Sequence, residues 1–243
     1  MEKRIIIGIQ CRLASTRFPE KSIKLINDNG LTCVGSLLDN VDKCNEHMSK
    51  KSGGLYTIKP LVVLLVPDNE VSFWLDFAAN RRPKPIILSG HLTDVLSRYL
   101  HLLEQKFDAV VRLTADCPNV PPLAINKAIF TLIHHRLDYI SNVWEGCRTA
   151  IDGHDIEVMS YDALQWLRDN ATEPDEREHV TIAIRKRMPQ DLRKAALIQK
   201  EDMSHIKLCV DTEHDFNECK MRFNQALLKK ETAAKKGLGI YDY

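Results

Sequence analysis

Residues 5–21 read IIIGIQCRLASTRFPEK, and this stretch decides how the rest of the chain is interpreted. Ile5 to Ile9 is an apolar run without the alternation of a half-exposed strand, which predicts a strand buried on both faces. The following loop carries three cations, Arg12, Arg17 and Lys21. Ligands of α/β sheets bind beyond the carboxyl ends of the strands, where cationic side chains can meet phosphates. The loop is therefore either an anion-binding loop or a solvated basic loop, and its position after the first strand favours the former without settling the choice.

Composition limits the class of protein. Of the 243 residues, 44% are hydrophobic and 28% are charged, and the formal net charge is +1. A net charge near zero creates no general field for nucleic acid, so an anion site must be local. No apolar run approaches the roughly eighteen residues of a membrane span, and residues 1–4 lead directly into a strand, so we expect a cytoplasmic protein that binds neither nucleic acid nor membrane. The seven cysteines are scattered, with no CxxC motif and no Cys/His ligand spacing, which predicts reduced thiols.

The order of predicted elements indicates the fold class. Apolar runs predict strands at residues 5–9, 61–66, 86–88, 109–113, 195–198 and 206–210, and helical spacing predicts helices around residues 34–41, 71–80, 94–105, 123–135, 160–169, 173–187 and from 213 towards 230. Alternating strands and helices predict an α/β fold, a three-layer α/β/α sandwich with a mostly parallel sheet. Since no linker or repeat divides the chain, we expect residues 1–243 to form a single domain. The tail, residues 231–243, has weak periodicity and is expected to be mobile.

Two aspartates follow predicted strands. Asp116 comes after the strand at residues 109–113, and Asp211 comes directly after the strand at residues 206–210. The carboxyl ends of parallel strands share one sheet edge, so both aspartates should lie near the basic loop. There they either form salt bridges with its cations or hold a divalent cation that is shared with a nucleotide's phosphates. Two such aspartates make a metal site credible, but spacing alone does not decide between these alternatives.

A dense polar cluster lies within residues 139–158. If Asp152, His154, Asp155 and Glu157 belonged to one strand, alternation would place the first two side chains on one face and the last two on the other. Four polar groups at such close spacing indicate substrate recognition. A solvent-facing hairpin is the alternative interpretation.

Several ordered motifs resemble a known family. Residues 10–21, QCRLASTRFPEK, resemble the N-terminal signature of the cytidylyltransferases that activate acidic sugars, such as CMP-sialic acid and CMP-KDO synthetases. That signature reads approximately A-R-x-x-S-T-R-L-P-G-K after a hydrophobic strand, so Cys11 and Glu20 depart from it. The motifs at 94–99, 112–118, 138–142, 152–158, 176–181 and 210–215 fall in the order of the branch represented by the spore coat polysaccharide biosynthesis protein F. The resemblance covers about residues 4–220.

This resemblance implies a fold, a reaction and a set of site residues. The fold is nucleotide-diphospho-sugar-transferase-like. The reaction is transfer of CMP from CTP to an acidic sugar or related acceptor with release of pyrophosphate, in surface polysaccharide or glycoconjugate biosynthesis, by a homodimer that uses Mg²⁺. The implied catalytic residues are Arg12, Lys21 and Asp116, and the implied metal ligands are Asp116 and Asp211. The implied nucleotide-binding residues are Gln10, Arg12, Ser15, Arg17, Lys21 and Arg112. The implied acceptor-binding residues are Arg98, Asn142, Asp155, Glu157 and His179, within or near an acceptor-binding and dimerisation segment at residues 139–187.

Two other functions remain open at this stage. A glycosyltransferase of similar architecture would use the pair Asp152 and Asp155 to bind its metal, and would transfer sugar from a nucleotide sugar without releasing pyrophosphate. A nucleotide-binding protein without catalysis would bind CTP and turn over nothing. Glu20 beside Lys21, where the family pattern has glycine, is the feature that favours this last alternative.

Overall fold

The computed structural model describes residues 2–51, 57–58 and 60–235, and its main element is a seven-stranded sheet in the order β5-β4-β2-β6-β8-β7-β9. The strands are β1 (Glu2–Lys3), β2 (Ile5–Gln10), β3 (Thr57–Ile58), β4 (Leu61–Pro67), β5 (Ile86–Gly90), β6 (Ala109–Thr114), β7 (Tyr139–Ser141), β8 (Glu157–Met159) and β9 (Lys194–Ala196). The α-helices are α1 (Cys33–Lys51), α2 (Val71–Ala79), α3 (Val95–Leu100), α4 (Pro122–His135), α5 (Tyr161–Asn170), α6 (Pro174–His179), α7 (Ile182–Arg187) and α8 (Glu213–Lys235). Strands β1 and β3 form a separate two-stranded parallel sheet.

The large sheet is parallel except at one strand. Strand β2 pairs in parallel with β4 and β6, and β5 continues the parallel order on one side. Strand β8 runs antiparallel between β6 and β7, and β9 pairs in parallel with β7. The six parallel strands therefore present their carboxyl ends at one edge, where the reversed β8 begins with Glu157. The predicted α/β fold with a mostly parallel sheet is confirmed.

Alternate side chains of β2 enter two cores on opposite faces of the sheet. Ile5, Ile7 and Ile9 are buried in a core shared with α1, α2 and α4. Ile6 belongs to the core on the other face, which is shared with α3, α5 and α7. Because both faces are covered, β2 is apolar from Ile5 to Ile9, as its sequence predicts, and its polar residue, Gln10, stands at its carboxyl end. The layers are helices, sheet and helices.

The helix predicted over residues 173–187 is two helices. Val180 separates α6 from α7 and has φ 58°, a backbone conformation that is costly for a β-branched residue and cannot continue a helix. The next residue, Thr181, is buried and donates its hydroxyl to the Glu157 carboxylate. The predicted helix over 94–105 similarly ends early, since α3 gives way to a 3₁₀ turn at His101–Glu104.

The strand predicted over residues 206–210 is also absent from the structure. Leu208 and Cys209 both donate their backbone N–H to the Asp152 carbonyl, at 2.6 and 3.1 Å, and the segment makes a single parallel bridge to the chain around Asp152. Gly153 allows this approach, because a Cβ there would lie 2.4 Å from the Cys209 nitrogen. The segment therefore crosses the loop before β8 instead of pairing within the sheet.

The polar cluster predicted as one alternating strand is mostly loop. Strand β8 starts at Glu157, and Gly153 has φ 104°, which breaks an extended backbone between Asp152 and His154. The predicted division of the four polar side chains between two sheet faces is therefore wrong.

Some expectations fall outside the described residues. The polar, glycine-containing stretch at residues 49–54 is typical of a loop, yet α1 continues to Lys51. Residues 52–54 are not described. Of the predicted tail, residues 231–235 belong to α8, and residues 236–243 lie outside the description. The single domain over 1–243 stays a prediction. Among the described helices, none is long and apolar enough to cross a membrane.

Candidate active site

A cleft of about 490 Å³ lies at the carboxyl edge of the sheet. The loop after β2, the ends of β6 and α6, and the segment before α8 contribute to its wall. The cationic side chains along it are Arg12, Arg17, Lys21, Arg98, Arg112, Arg148 and Arg185. Such a surface attracts an anionic ligand, and the separated elements give it a shape that no single motif defines.

Lys21 lies between the two predicted metal ligands. Its Nζ is 2.7 Å from Asp116 Oδ2 and 3.1 Å from Asp211 Oδ1, and its side chain is 8% exposed. Burial lowers the pKa of Lys21, but the charge and hydrogen bond of Asp116, followed by those of Asp211, raise it above its ordinary value. The ammonium thus stays charged. The position between the two carboxylates is a cation-binding position, and the structure brings Lys21, Asp116 and Asp211 together as the sequence pattern indicated.

Asp211 has further cationic neighbours. Arg17 Nη2 and Lys207 Nζ each lie 3.3 Å from its carboxylate. Burial raises the pKa of Asp211, but its hydrogen bond with Lys21 and the charges of Lys21 and Lys207 bring it below its ordinary value. Lys207 also contacts Asp215 at 2.9 Å, so the start of α8 is tied to the site. Arg17 is 68% exposed, so much of its side chain stays accessible.

Glu70 fixes the basic loop from behind. Its carboxylate accepts the backbone N–H groups of Leu13 and Ala14 at 2.8 and 3.2 Å, and the indole N–H of Trp74 at 3.0 Å. These bonds satisfy donors that the loop would otherwise bury unpaired. No sequence motif marks Glu70, which follows the strand-ending Pro67 and lies 56 residues beyond Ala14.

Backbone geometry explains one feature of the loop sequence. Glu20 has φ 57° and ψ 21°, the left-handed conformation that glycine adopts without cost, and the family pattern has glycine there. Glu20 is exposed and is not part of the cleft wall. Ser15, a predicted nucleotide contact, also lies outside the wall and accepts the Phe18 N–H at 3.4 Å, which shapes the loop.

A buried ionic network orients Arg112. Its Nε donates to Gln10 Oε1 at 3.0 Å, and its Nη1 pairs with the Glu157 carboxylate. Glu157 also accepts the hydroxyls of Tyr139 and Thr181 and is 1% exposed. Burial raises the pKa of Glu157, but the charges of Arg112 and then Arg185 lower it overall. Glu157 therefore supports the cleft from below and does not line it.

Two more predicted acceptor contacts have structural partners. The Arg98 guanidinium donates to four backbone carbonyls, those of Cys11, Leu65, His91 and Leu92, although its side chain borders the cleft. Asn142 is buried behind the wall. Its side-chain Nδ2 donates a hydrogen bond to His154 O at 2.7 Å, and its Oδ1 accepts one from the Ile156 N–H at 2.8 Å. Asn142 therefore holds the polar loop before β8.

The remaining predicted contacts border the cleft at α6 and at the polar loop. His179 lies 3.5 Å from Asp175, and Arg12 lies 3.5 Å from Glu178. Asp155 Oδ1 accepts a hydrogen bond from Nη2 of Arg148 at 2.5 Å.

Two arginines of this wall, Arg148 and Arg185, belong to no motif that the sequence singles out. Nη2 of Arg148 also contacts Asp152, at 3.2 Å. Arg185 donates to Val143 O and lies 3.6 Å from Glu157, while its Nε is buried without a hydrogen-bond partner in the described part of the chain. Both belong to the predicted acceptor segment, but only the folded chain shows that they reach the cleft.

The sequence and the fold are similar to those of known proteins. A protein of Methanocaldococcus jannaschii described as uncharacterized is 33% identical over 218 residues, which cover 87% of this chain and 80% of that protein. A cytidylyltransferase from Leptospira borgpetersenii has a similar structure, with a TM-score of 0.77 at 23% identity over 99% of this chain and 100% of that one. A CMP:2-keto-3-deoxy-manno-octonic acid synthetase, solved with CTP, has a TM-score of 0.59 at 14% identity. The match covers 92% of this chain and 100% of that one. The cytidylyltransferase family model matches residues 5–235. The chain therefore belongs to the cytidylyltransferase family of nucleotidyltransferases.

Proposed function

We propose that this cytidylyltransferase transfers CMP from CTP to an acidic sugar or a related acidic acceptor and releases pyrophosphate. The observation that carries the proposal is the Lys21 ammonium held between Asp116 and Asp211 at a cleft lined by cations. That arrangement supplies both a position for a divalent cation and charged donors for a triphosphate.

The loop after β2 is the proposed triphosphate site. The Arg12 and Arg17 side chains are 41% and 68% exposed and can turn towards phosphate oxygens. Lys21 can leave the aspartates for the same oxygens. Arg112 and Gln10 hold each other at the carboxyl ends of β6 and β2, which presents both to the nucleotide. Ser15 acts through the loop conformation.

Mg²⁺ is the proposed cofactor, with Asp116 and Asp211 as its ligands. Mg²⁺ prefers hard oxygen ligands. Each of the two carboxylates already has one oxygen within 3.1 Å of the Lys21 Nζ. When bound, Mg²⁺ would neutralise charge on the phosphates and on the departing pyrophosphate. Lys21 must yield its position between the carboxylates, so it would move towards the phosphates as the nucleotide enters.

The wall formed by residues 143–185 is the proposed acceptor site. Arg148, Arg185 and His179 border it, and Nε of Arg185 faces Glu157 Oε1 at 3.6 Å. A carboxylate on the acceptor would pair with the guanidinium groups of Arg148 and Arg185, which is the reason for preferring an acidic sugar. Asp155 orients Arg148, Glu157 orients Arg185, and Asn142 and Arg98 fix the backbone around them.

In the proposed reaction an acceptor oxygen attacks the α-phosphorus of CTP. A bond forms between that oxygen and the phosphorus, the bond to the bridging oxygen of the β-phosphate breaks, and the acceptor's proton passes to solvent. The protein aligns the two substrates and neutralises the charge that builds on pyrophosphate. Arg12, Arg17 and Lys21 are the side chains that perform the second task.

The two other functions gain less support. The glycosyltransferase alternative would use Asp152 and Asp155 for metal, but the family model that matches residues 5–235 is that of a cytidylyltransferase. The binding-protein alternative depends on Glu20, which is exposed and outside the cleft wall. Neither feature favours these alternatives over transfer of CMP.

The ordered motifs support a proposal for the biological setting. We propose that the chain belongs to the branch of the spore coat polysaccharide biosynthesis protein F and acts in surface polysaccharide or glycoconjugate biosynthesis. All seven cysteines are free thiols, which supports the expectation of a cytoplasmic enzyme. A homodimer formed through residues 139–187 stays a prediction, to be measured by light scattering.

The deciding experiment measures pyrophosphate release. CTP, ATP, GTP and UTP are supplied separately with Mg²⁺ and a panel of 2-keto acid sugars. We expect release with CTP and one class of acidic acceptor, and its loss in Asp116→Asn. Asp108→Asn is the matched control, since Asp108 precedes β6 at the opposite edge, where it pairs with Lys3. Normal turnover by folded Asp116→Asn, or equal use of neutral sugars, would contradict the proposal.

A further inference from the structure

Asp116 has two sulfur neighbours that the proposed reaction does not use. Cys117 Sγ lies 3.7 Å from Asp116 Oδ1 and 3.8 Å from Cys209 Sγ. The three ligand atoms all lie within 4.8 Å of one another, although Cys209 is 92 residues from Cys117 in sequence. The spacing of the cysteines in the chain gives no sign of this cluster.

Two of the three ligand–ligand distances, those from Cys117 Sγ to Asp116 Oδ1 and to Cys209 Sγ, fit a tetrahedral zinc ion. With Zn–S bonds of about 2.3 Å and a tetrahedral angle, two sulfur ligands lie about 3.8 Å apart. With a Zn–O bond of about 2.1 Å, a sulfur and an oxygen ligand lie about 3.6 Å apart. The observed separations of 3.8 and 3.7 Å agree with both values. A disulfide bond, by contrast, requires sulfurs about 2.05 Å apart, so the thiols would have to move together.

The backbone holds the three side chains in place. Cys117 N–H donates to Thr114 O at 3.0 Å, Val210 N–H donates to Asp116 O at 2.9 Å, and Cys209 N–H donates to Asp152 O at 3.1 Å. The second of these bonds joins the segment after β6 to the segment before α8. The cluster is therefore formed by the fold before any ion arrives, and its residues border the cleft, where water can supply a fourth ligand.

We propose that Asp116, Cys117 and Cys209 form a Zn²⁺ site, completed by water, whose occupation inhibits CMP transfer. Zinc would use Asp116 Oδ1, whereas Lys21 holds Oδ2. Binding therefore leaves Lys21 where it is and releases the two thiol protons to solvent. It withdraws Asp116 from Mg²⁺. The zinc site stands on its own geometry, and only the inhibition rests on the proposed function.

Binding is tested first, without substrates. The reduced full-length protein is titrated with Co²⁺, whose charge-transfer absorption reports thiolate ligands, and then with Zn²⁺ against a chromophoric chelator. We expect one ion per chain, and at least tenfold weaker binding in Cys117→Ser and in Cys209→Ala. Cys147→Ser is the matched control, because Cys147 lies outside the cluster and outside the cleft wall and should bind as wild type does. Thermal unfolding checks that each variant is folded.

Two results would overturn the site. Either the wild type shows no thiolate absorption with Co²⁺, or folded Cys209→Ala shows the same absorption as the wild type. Inhibition is measured separately, by transfer activity at saturating Mg²⁺. One equivalent of Zn²⁺ should lower the wild-type rate at least tenfold and leave Cys209→Ala within twofold of its zinc-free rate. Zinc bound through the thiolates with undiminished transfer would refute the inhibition alone, because Asp116 Oδ2 would then still serve Mg²⁺ while zinc holds Oδ1. An absence of zinc binding would leave the proposed reaction intact.

Discussion

Replacing Lys21 by Met should change metal binding and catalysis in opposite directions. Methionine keeps much of the length of the side chain and removes the ammonium that lies 2.7 Å from Asp116 and 3.1 Å from Asp211. In the protein without nucleotide, a divalent ion must displace that ammonium to reach both carboxylates. With nucleotide bound, the same ammonium contributes to holding the triphosphate.

The magnitude follows from the bonds that the change removes. A hydrogen bond to a charged group contributes about 1.5–3 kcal/mol. A metal ion binding to wild type must break at least one such bond to Lys21, so Lys21→Met should bind Mn²⁺, a probe for Mg²⁺, about tenfold or more tightly. CMP transfer loses one charge-assisted contact to phosphate and should fall about ten- to a hundredfold.

Two measurements on the same preparations check this reasoning. Mn²⁺ binding without nucleotide is followed by the loss of the free-ion spin-resonance signal, and transfer is followed by pyrophosphate release. Lys24→Met is the matched control, because Lys24 lies three residues away, over the Phe18 ring. Its metal affinity and transfer rate should stay within twofold of wild type. If Lys21→Met bound Mn²⁺ no more tightly than wild type, the competition between Lys21 and the ion would be refuted.

Three further variants test the parts that position the site. Gly153→Ala should lower CMP transfer more than tenfold, because its Cβ would lie 2.4 Å from Cys209 N. Gly30 also has a positive φ but open space around it, so Gly30→Ala should lower stability only. Kinetics and thermal unfolding of both variants check this. Glu70→Gln replaces one acceptor oxygen by a donor and should raise KM for CTP about tenfold, with kcat less affected. Burial and the charge of Arg148 lower the pKa of His154 to about 4 from 6.5, so the unfolded chain alone gains a proton as pH falls between these values. Between pH 7 and pH 4 the free energy of unfolding of the wild type should therefore fall by up to about 3 kcal/mol more than that of His154→Gln. Denaturant unfolding of both proteins at the two pH values measures this difference.

The strands of the sheet centre could be predicted because their burial is local information. Strand β2 is apolar from Ile5 to Ile9 because its alternate side chains enter opposite cores. Such a run has few other uses in a folded chain. The placement of Asp116 followed from the end of β6 for the same reason. Sequence order and chain direction were enough to place that carboxylate at the edge where the basic loop lies.

The features that sequence reasoning missed depend on contacts between distant segments. Glu70 holds the basic loop through bonds to backbone N–H groups, and backbone donors leave no mark on the residue types of the loop. The segment ending at Asp211 is as apolar as a strand, yet Gly153 draws it across the polar loop and out of the sheet. Helical spacing likewise continues through Val180, where the positive φ follows from tertiary packing and not from local preference.

The surroundings of Asp116 show how one carboxylate can distinguish two kinds of cation. On the side of Oδ2 its neighbours are the Lys21 ammonium and the second carboxylate, Asp211, an environment of oxygen donors that suits a hard ion such as Mg²⁺. On the side of Oδ1 its neighbours are two sulfurs, which suit a softer ion such as Zn²⁺. A mutation of either sulfur should thus leave the hard-ion side intact, whereas the loss of Asp116 removes both. Comparing Cys209→Ala with Asp116→Asn in the same metal titrations separates the two sides of the carboxylate, because only the first variant should retain Mn²⁺.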